Sequence, residues 1–361
     1  MSRTNYYPQL DSVRGLSFLG IFFFHAAHPA FGESIFGRLF NFYYDQLPLA
    51  IDVFFILSSF LLTWLGIKEY TKQQQVSLAK FFQRRILRIW PLYFLFLTLS
   101  FLLFPPLAAK TGLEITLPDP LYYYLFIANF YKTGHVFFLQ ILWTISVEEQ
   151  FYVFLGLVMR FFFRYLQGIF IALVLCSLAF TIYAKTTGLT FYFHTLTYCA
   201  DFAMGGLAAL LLSKKSPVIN WTEKLKGGKA AIFYCWPLIQ LAVFFLVNEQ
   251  VHHYLVLLIN RYLFIAYVCL LLTEQLSNPH RISFYGRNRF LILTGRISFG
   301  LYCFHGLSIT AFSQVNEHFS SALSPWLLVP LIFAFNFGLA FASYRYVESP
   351  FLRLKDRLRM I

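Results

Sequence analysis

Two adjacent carboxylates, Glu148 and Glu149, interrupt the apolar stretch Leu142-Trp143-Thr144-Ile145-Ser146-Val147-Glu148-Glu149-Gln150-Phe151-Tyr152, which otherwise has the composition of a membrane span. Charged groups are costly in hydrocarbon, so in membrane proteins they usually face a cavity, have polar partners and serve a function. Other apolar segments of the chain contain Arg14, His25, Asp52, Asp201 and His305. The sequence therefore indicates polar chemistry carried out inside a membrane.

The composition supports this interpretation. Of 361 residues, 58% are hydrophobic and 12% are charged, whereas a soluble domain carries about 25% charged residues. Hydrophobic segments leave no room for a separate globular domain, so we expect one integral-membrane domain over residues 1–361. The five cysteines and the histidines have no neighbours at ligand spacing, and we expect no metal site.

Ten segments are long and apolar enough to cross a bilayer, for which about 20 residues are needed. They are 12–31, 48–67, 90–108, 138–159, 165–184, 195–213, 230–248, 255–273, 290–312 and 326–345. Asn260 and Arg261 interrupt the eighth segment. If the N-terminus is cytoplasmic, every cytoplasmic loop carries more Lys and Arg than its outer neighbours. The predicted fold class is therefore an all-α, polytopic membrane bundle of about ten helices with both termini in the cytoplasm.

The net charge of +13 follows from this distribution and from contact with anionic lipid, and it gives no reason to expect nucleic acid. A cleaved signal peptide is the alternative for the N-terminus. Cleavage near Ala27 or Ala30 would remove both Arg14 and His25, so we expect an uncleaved first span.

Arg14 and His25 share one face of the first predicted helix. They are eleven residues apart, which is about 20° from three full turns and about 16 Å along the axis. Arg14 lies at the predicted cytoplasmic end and His25 in the outer half. A lone intramembrane histidine is often a residue that hydrogen-bonds between helices, whereas a face shared with an arginine favours a substrate path.

Further polar groups are predicted at similar depths in the membrane. Asp52 lies just inside the second span, Glu148 and Glu149 lie near the middle of the fourth, and Tyr302 and His305 lie one turn apart in the ninth. A histidine beside a carboxylate is the arrangement for general base catalysis. The two glutamates point about 100° apart, so both can line one cavity only at its edges. The alternative is that these groups only neutralise one another across helices.

The segment Phe81-Phe82-Gln83-Arg84-Arg85-Ile86-Leu87-Arg88-Ile89-Trp90-Pro91 gathers three arginines at the predicted cytoplasmic rim. On a helix, Arg84 and Arg85 fall within one turn of Arg88. A guanidinium group can donate two parallel hydrogen bonds to phosphate oxygens, so this cluster predicts a phosphate-binding site. The alternative is a positively charged anchor at the cytoplasmic surface.

These motifs resemble those of the bacterial integral-membrane acyltransferase family 3, which includes O-antigen and exopolysaccharide O-acetyltransferases. The resemblance covers nearly the whole chain, and the stretch from Leu142 to Tyr152 is its most specific part. The other matching motifs are Leu10-Asp11-Ser12-Val13-Arg14-Gly15 followed by His25, Ile51-Asp52-Val53-Phe54-Phe55-Ile56-Leu57-Ser58, Arg84-Arg85-Ile86-Leu87-Arg88, Tyr302 to His305, and Glu348-Ser349-Pro350-Phe351.

The resemblance implies transfer of an acyl group, usually acetyl from acetyl-CoA, to a hydroxyl of a cell-envelope glycan or glycolipid at the bacterial inner membrane. The CoA part of the acyl donor is expected to be bound by Arg84, Arg85 and Arg88, together with Arg14. His25 is expected to remove the acceptor proton or to take the acyl group itself, with Glu148 or Glu149 orienting its ring. Tyr302 and His305 are expected to stabilise the thioester oxyanion or position the acceptor.

Family members often carry an additional periplasmic esterase-like domain, and we expect this chain, which ends at Ile361, to lack one. The alternative function is a proton-coupled transporter or glycan exporter, because buried His, Asp and Glu residues also suit a carrier. Carriers often show internal repeats, and the sequence has none.

Overall fold

The computed structural model describes residues 6–27, 32–110, 116–131, 136–251, 254–318 and 323–358. These residues are mostly helical, and none of them forms a strand. The α-helices are α1 (Pro8–Ala26), α2 (Ile35–Asp45), α3 (Ala50–Gln73), α4 (Leu78–Lys110), α5 (Pro120–Tyr124), α6 (Phe137–Gln140), α7 (Trp143–Phe161), α8 (Leu166–Thr187), α9 (Thr195–Ser213), α10 (Pro217–Glu223), α11 (Gly227–Val251), α12 (Tyr254–Ser277), α13 (Phe284–Arg287), α14 (Arg289–Arg296), α15 (Ser298–His318), α16 (Pro325–Ser343) and α17 (Ser349–Leu358).

Eight helical stretches of the described residues are long and apolar enough to cross a membrane. They are Ile35–Gln73, Leu78–Pro106, Phe137–Phe161, Phe163–Thr187, Thr195–Ser213, Gly227–Val251, Tyr254–Ser277 and Trp326–Leu354. A ninth is counted if Arg289–Arg296 and Ser298–Asn316 together form one span. The all-α, multi-pass class is confirmed, and the location of the termini stays a prediction.

Two predicted spans differ from the observed helices. The segment 290–312 is not one helix, because α14 ends at Arg296 and α15 begins at Ser298. The segment 12–31 corresponds to α1, which is not among the eight stretches because polar residues such as Asp11 and Arg14 lower its hydropathy. Residues 28–31 of that segment lie outside the described residues.

Contacts within the chain divide it into two compact units. The first consists of Met1–Lys72, Gln167–Leu175 and Ala200–Arg296, and the second consists of Gln73–Leu166, Cys176–Cys199 and Ile297–Ile361. The single domain expected over residues 1–361 stays a prediction. The candidate site residues fall into both units, and each unit is described by itself.

In the first unit, α1 and α14 pack backbone against backbone. A Cβ on Gly15 would collide with the carbonyl oxygen of Leu291, and a Cβ on Gly295 would collide with that of Asp11. Small residues permit this close approach between membrane helices. The contact holds the first turns of α1, including Arg14, in a fixed position.

In the second unit, α15 packs against α6 and α16, and α17 packs against α4. Gly306 makes the first of these contacts possible, because a Cβ there would lie 2.7 Å from Cα of Phe138. Phe126 lies in a turn and has a φ of 56°. Its ring packs against the rings of Trp90, Tyr93 and Phe94 on α4. These contacts position α4, α7 and α15, which carry the candidate residues of this unit.

Candidate active site

Helix α7 directs three consecutive polar side chains to three different sides, because successive helical residues point about 100° apart. Glu149 contacts α4, and Gln150 contacts the loop that follows α5. Glu148 lies four residues after Thr144, so these two share a face of the helix. The predicted divergence of the two glutamates is therefore what the continuous helix produces.

Glu149 is a buried carboxylate whose described partner is a neutral donor. Trp90 Nε1 donates to Oε2 of Glu149 at 3.3 Å, and the residue is 8% exposed. The other oxygen, Oε1, is buried and has no hydrogen-bond partner among the described residues. A buried polar oxygen without a partner is costly, so Oε1 of Glu149 is a candidate contact for a ligand or a proton.

Gln150 has a positioning role. Its Nε2 donates to the carbonyl oxygen of Phe126 and to Oδ1 of Asn129, both at 2.8 Å, and its Oε1 accepts from Thr195 Oγ1 at 2.5 Å. Asn129 Nδ2 in turn donates to the carbonyl oxygen of Phe193 at 3.2 Å. The amide of Gln150 thus connects two loops to α7. Because its NH₂ group and its oxygen both bond to protein, Gln150 has a structural role.

His305 is fully buried and has one ring nitrogen fixed. Its Nδ1 lies 2.6 Å from the carbonyl oxygen of Tyr302. A carbonyl oxygen only accepts, so Nδ1 carries the proton of this hydrogen bond. This contact holds the imidazole ring of His305 in one orientation.

The phenol of Tyr302 connects α15 to the start of α7. Thr144 Oγ1 donates to the hydroxyl of Tyr302 at 2.7 Å, and that hydroxyl donates to the carbonyl oxygen of Ile141 at 2.7 Å. The proton of the phenol is therefore directed at the backbone in this structure. Tyr302 positions His305 and Thr144, and its expected action as an oxyanion donor would require it to leave Ile141.

The three arginines lie together on α4, where all of them are partly buried. The guanidinium of Arg85 lies over the ring of Tyr152, 4.4 Å from its centroid. This contact connects the arginine motif to the α7 motif by a cation–π interaction. Arg84 and Arg88 are four residues apart, so the three arginines lie within about 6 Å along the helix axis.

The first unit contains Arg14 and His25 on one uninterrupted helix, so their predicted shared face holds. Arg14 Nη1 pairs with Oδ1 of Asp11 at 3.0 Å, and both side chains are largely buried. His25 lies in the last turn of α1. The hydroxyl of Tyr44 donates to the carbonyl oxygens of Phe24 and Ala27, which secures that turn. The predicted pairing of His25 with one of the glutamates joins residues of different units and stays a prediction.

Asp52 belongs to a buried ion network that the sequence did not reveal. Arg261 Nε donates to Oδ2 of Asp52 at 2.9 Å, and Arg261 Nη2 donates to Oδ2 of Asp201 at 2.6 Å. Both carboxylates are almost completely inaccessible to solvent. This favours the neutralising alternative for Asp52, whose catalytic role stays a prediction. The arginine within the eighth predicted span was the available signal for this network.

Glu348 is a buried carboxylate in the motif Glu348-Ser349-Pro350-Phe351, and its sequence position alone did not indicate a place in the site. It ends a π-helical segment, Tyr344–Glu348, and is 5% exposed. Its Oε1 lies 3.1 Å from the position that a Cβ on Gly300 would occupy, so α15 and this segment are in close contact. Short π-helical segments are frequent at functional sites.

The chain belongs to the family described as "Acyltransferase domain", whose sequence pattern matches residues 7–345. This confirms the resemblance that the motifs indicated. The family is one of acyl-transferring enzymes, and the match includes every site residue predicted from the sequence, whereas Glu348 lies just beyond it.

Relatives agree with the family. The chain is similar to O-acetyltransferase OatA of Staphylococcus aureus strain NCTC 8325 / PS 47, with 24% identity over 372 residues, which cover 97% of this chain and 58% of the relative. OatA of strain MRSA252 gives the same values. The chain thus spans little more than half the length of these relatives. No solved structure matches the chain.

Proposed function

We propose that this protein is a membrane O-acyltransferase that moves an acetyl group from cytoplasmic acetyl-CoA to a hydroxyl of an envelope glycan, such as O-antigen, an exopolysaccharide or a glycolipid. The bacterial inner membrane is the proposed location. The observation that carries the proposal is His305, a fully buried histidine inside an apolar helix, whose imidazole ring is held in one orientation by the carbonyl oxygen of Tyr302. The family match and the O-acetyltransferase relatives support the reaction class.

The proposed chemistry is the attack of a hydroxyl on a thioester. A histidine removes the acceptor proton, the acceptor oxygen bonds to the acetyl carbonyl carbon, the carbon–sulfur bond breaks, and CoA leaves as the thiol after taking up the proton. His25 is the proposed proton acceptor or acyl carrier. His305, held by Tyr302, positions the acceptor hydroxyl or shares the proton transfer. Glu149 supplies a carboxylate oxygen that has no described partner.

The proposed CoA contacts are the arginines of α4. Arg84, Arg85 and Arg88 offer guanidinium groups to phosphate oxygens. Arg85 is held over Tyr152, which keeps its planar group oriented. Arg14 is a weaker candidate, because Asp11 already accepts from its guanidinium.

A proton-coupled transporter is the second candidate function. The observation in its favour is Asp201, which is fully buried and whose Oδ1 has no hydrogen-bond partner among the described residues. Intramembrane carboxylates of this kind occur in proton relays. A carrier, however, has no need of acetyl-CoA.

The test is thiol release from acetyl-CoA by the purified full chain, with a glycan extract of the host envelope as acceptor. We expect wild type to release CoA and acetylate the extract, and we expect His25→Ala to abolish both while the variant stays folded. His305→Ala should lower the rate by about 10²-fold or more, the range of a lost acid–base group. Full activity of His25→Ala would overturn its assignment, and the absence of acetyl-CoA binding by wild type would favour the transporter.

A further inference from the structure

Near the end of α3, the ammonium group of Lys68 lies between two aromatic rings. Its Nζ is 4.7 Å from the ring centroid of Trp64 and 5.9 Å from that of Tyr7. Trp64 precedes Lys68 by one turn, so both side chains share a face of α3. Tyr7 lies directly before α1. All three residues belong to the first unit.

Packing against the protein fixes the two aromatic rings. Trp64 and Tyr7 are half-buried and contact the hydrophobic core of the first unit. Tryptophan at the edge of a membrane commonly sits at the level of the lipid head groups, where its N–H finds a partner. The indole Nε1 of Trp64 is instead buried, and it has no hydrogen-bond partner among the described residues. The indole therefore offers a donor that these residues do not use.

Lys68 is a half-buried cation without a carboxylate partner. None of the ion pairs within the described part of the chain includes it. Its ammonium group has three protons, and it donates to the hydroxyl of Tyr7 at the long distance of 3.5 Å. A charged group that is withdrawn from water without a counter-ion is costly. Nζ of Lys68 and Nε1 of Trp64 are thus two neighbouring donors that remain available to an anion.

The start of α1 adds positive potential near Tyr7. This helix has 19 residues, and no side chain caps its N-terminus, which carries the positive end of the helix dipole. Asp11 in the first turn is already paired, because Arg14 donates to its carboxylate at 3.0 Å. The local charge therefore favours binding of an anion.

The position of Lys68 in the membrane indicates the kind of anion. Lys68 lies near the end of the apolar stretch Ile35–Gln73, so it is at an edge of the bilayer, which is the cytoplasmic edge in the predicted orientation. Lysine binds phosphate groups as a point charge. Phosphate groups reach this edge on phospholipid head groups and on soluble molecules such as CoA.

We infer that Lys68 and Trp64 form a phosphate-binding site, in which Nζ of Lys68 and Nε1 of Trp64 donate to phosphate oxygens. The stem of lysine is flexible, so the ammonium group can move with the phosphate and uncover the indole N–H. Neither residue has a part in the proposed acyl transfer, so the site does not depend on the proposed function. The alternative is an anchor lysine that extends to the membrane surface.

The test measures binding by the purified full chain in detergent. The probes are phosphatidylglycerol, counted by native mass spectrometry, and acetyl-CoA, titrated by calorimetry. We expect Lys68→Gln to weaken the binding of one probe about tenfold, the effect of a lost hydrogen bond to a charged group. A loss for phosphatidylglycerol identifies a lipid head group, and a loss for acetyl-CoA identifies a phosphate of CoA. Unchanged binding of both probes would overturn the inference.

Diacylglycerol, which has no phosphate, is the control lipid in the same experiment. Its binding should not respond to Lys68→Gln. If phosphatidylglycerol is the probe affected, an equal loss for diacylglycerol would show that the variant disturbs contacts with lipid chains, and the inference would fail.

Two further variants separate a phosphate site from a surface charge. Trp64→Phe keeps a ring beside Lys68 and removes the N–H donor, whereas Lys72→Gln removes an exposed positive charge one turn further along α3. We expect Trp64→Phe to weaken the affected probe several-fold and Lys72→Gln to leave it unchanged. Wild-type binding in Trp64→Phe would overturn the site as stated. Equal losses in Lys72→Gln and Lys68→Gln would establish the anchor alternative.

A measurement on the wild-type chain covers the case in which Lys68→Gln does not fold. An amine-reactive reagent is applied with and without each probe, and the labelled lysines are located by peptide mass spectrometry. We expect a bound probe to suppress labelling of Lys68 and to leave labelling of Lys72 unchanged. Absence of protection at Lys68 with both probes would overturn the inference. Failure of wild type to bind acetyl-CoA would overturn the proposed function alone, and the phosphatidylglycerol result would then decide the inference.

Discussion

The two units hold buried carboxylates in different ways. In the first unit, Asp52 and Asp201 both accept hydrogen bonds from the guanidinium of Arg261. In the second unit, Glu149 accepts from the neutral indole of Trp90. One oxygen of Glu149, like Oδ1 of Asp201 in the first unit, has no hydrogen-bond partner among the described residues. The direct hydrogen-bond donor is therefore a cation for Asp52 and Asp201 and a neutral group for Glu149. The difference separates a stabilising network from a candidate for chemistry.

The largest expected effect is on catalysis in the second unit. Glu149→Gln keeps the shape of the side chain and an oxygen for Trp90, but it removes the charge. We expect the rate of acetyl transfer to fall by about 10²-fold or more, while the thermal unfolding temperature stays close to that of wild type. Steady-state thiol release and a thermal melt of the same sample check this. A variant as active as wild type would mean that Glu149 is structural.

The next effect is on stability in the first unit. Arg261→Met removes the cation and leaves two buried carboxylates, so we expect a loss of about 3–5 kcal/mol in the free energy of unfolding. Replacing the whole network, as Asp52→Asn with Arg261→Met and Asp201→Asn, should recover most of that loss. Thermal unfolding in detergent compares the three proteins. If Arg261→Met is fully stable but inactive, the network belongs to the chemistry.

A smaller effect is expected at the arginines of α4. Arg88→Ala should raise the KM for acetyl-CoA about tenfold, because a hydrogen bond to a charged group contributes about 1.5–3 kcal/mol. The matched control is Arg160→Ala, whose guanidinium already donates to Gln75 Oε1. Kinetics at varied acetyl-CoA, normalised to protein abundance, give the result. A change in abundance alone would support the anchor interpretation.

The smallest effect concerns the ring beneath Arg85. Tyr152→Leu removes the cation–π contact, which contributes about 0.5–2 kcal/mol. We expect a few-fold rise in the KM for acetyl-CoA. Tyr152→Phe keeps the aromatic face and should stay close to wild type in the same kinetic assay. Equal behaviour of the two variants would show that the ring does not position Arg85 for the ligand.

The helices and the motifs on them could be predicted from sequence, because apolar runs and local spacing determine both. The shared face of Arg14 and His25 and the divergence of Glu148 from Glu149 follow from helical geometry alone. The break at Ile297 was missed, because hydropathy averages over a window and does not detect a local interruption of the helix.

Partners distant in sequence could not be predicted. Asp52 and Arg261 are 209 residues apart, and nothing in either local segment specifies the other. The same holds for the hydrogen bond from Thr144 to Tyr302, which turns the phenol toward α7. The buried position of Glu348 depends on a π-helical segment, which has no signal in the residue pattern.

The most direct test of the account is mass spectrometry of envelope glycans and lipids from a deletion strain that carries wild-type protein, His25→Ala or no protein. If His25 is required for acetyl transfer, an acetyl mark appears only with wild type, with both proteins present at equal abundance in the membrane. The same profile in all three strains would contradict it, and so would an acetyl mark that persists with His25→Ala.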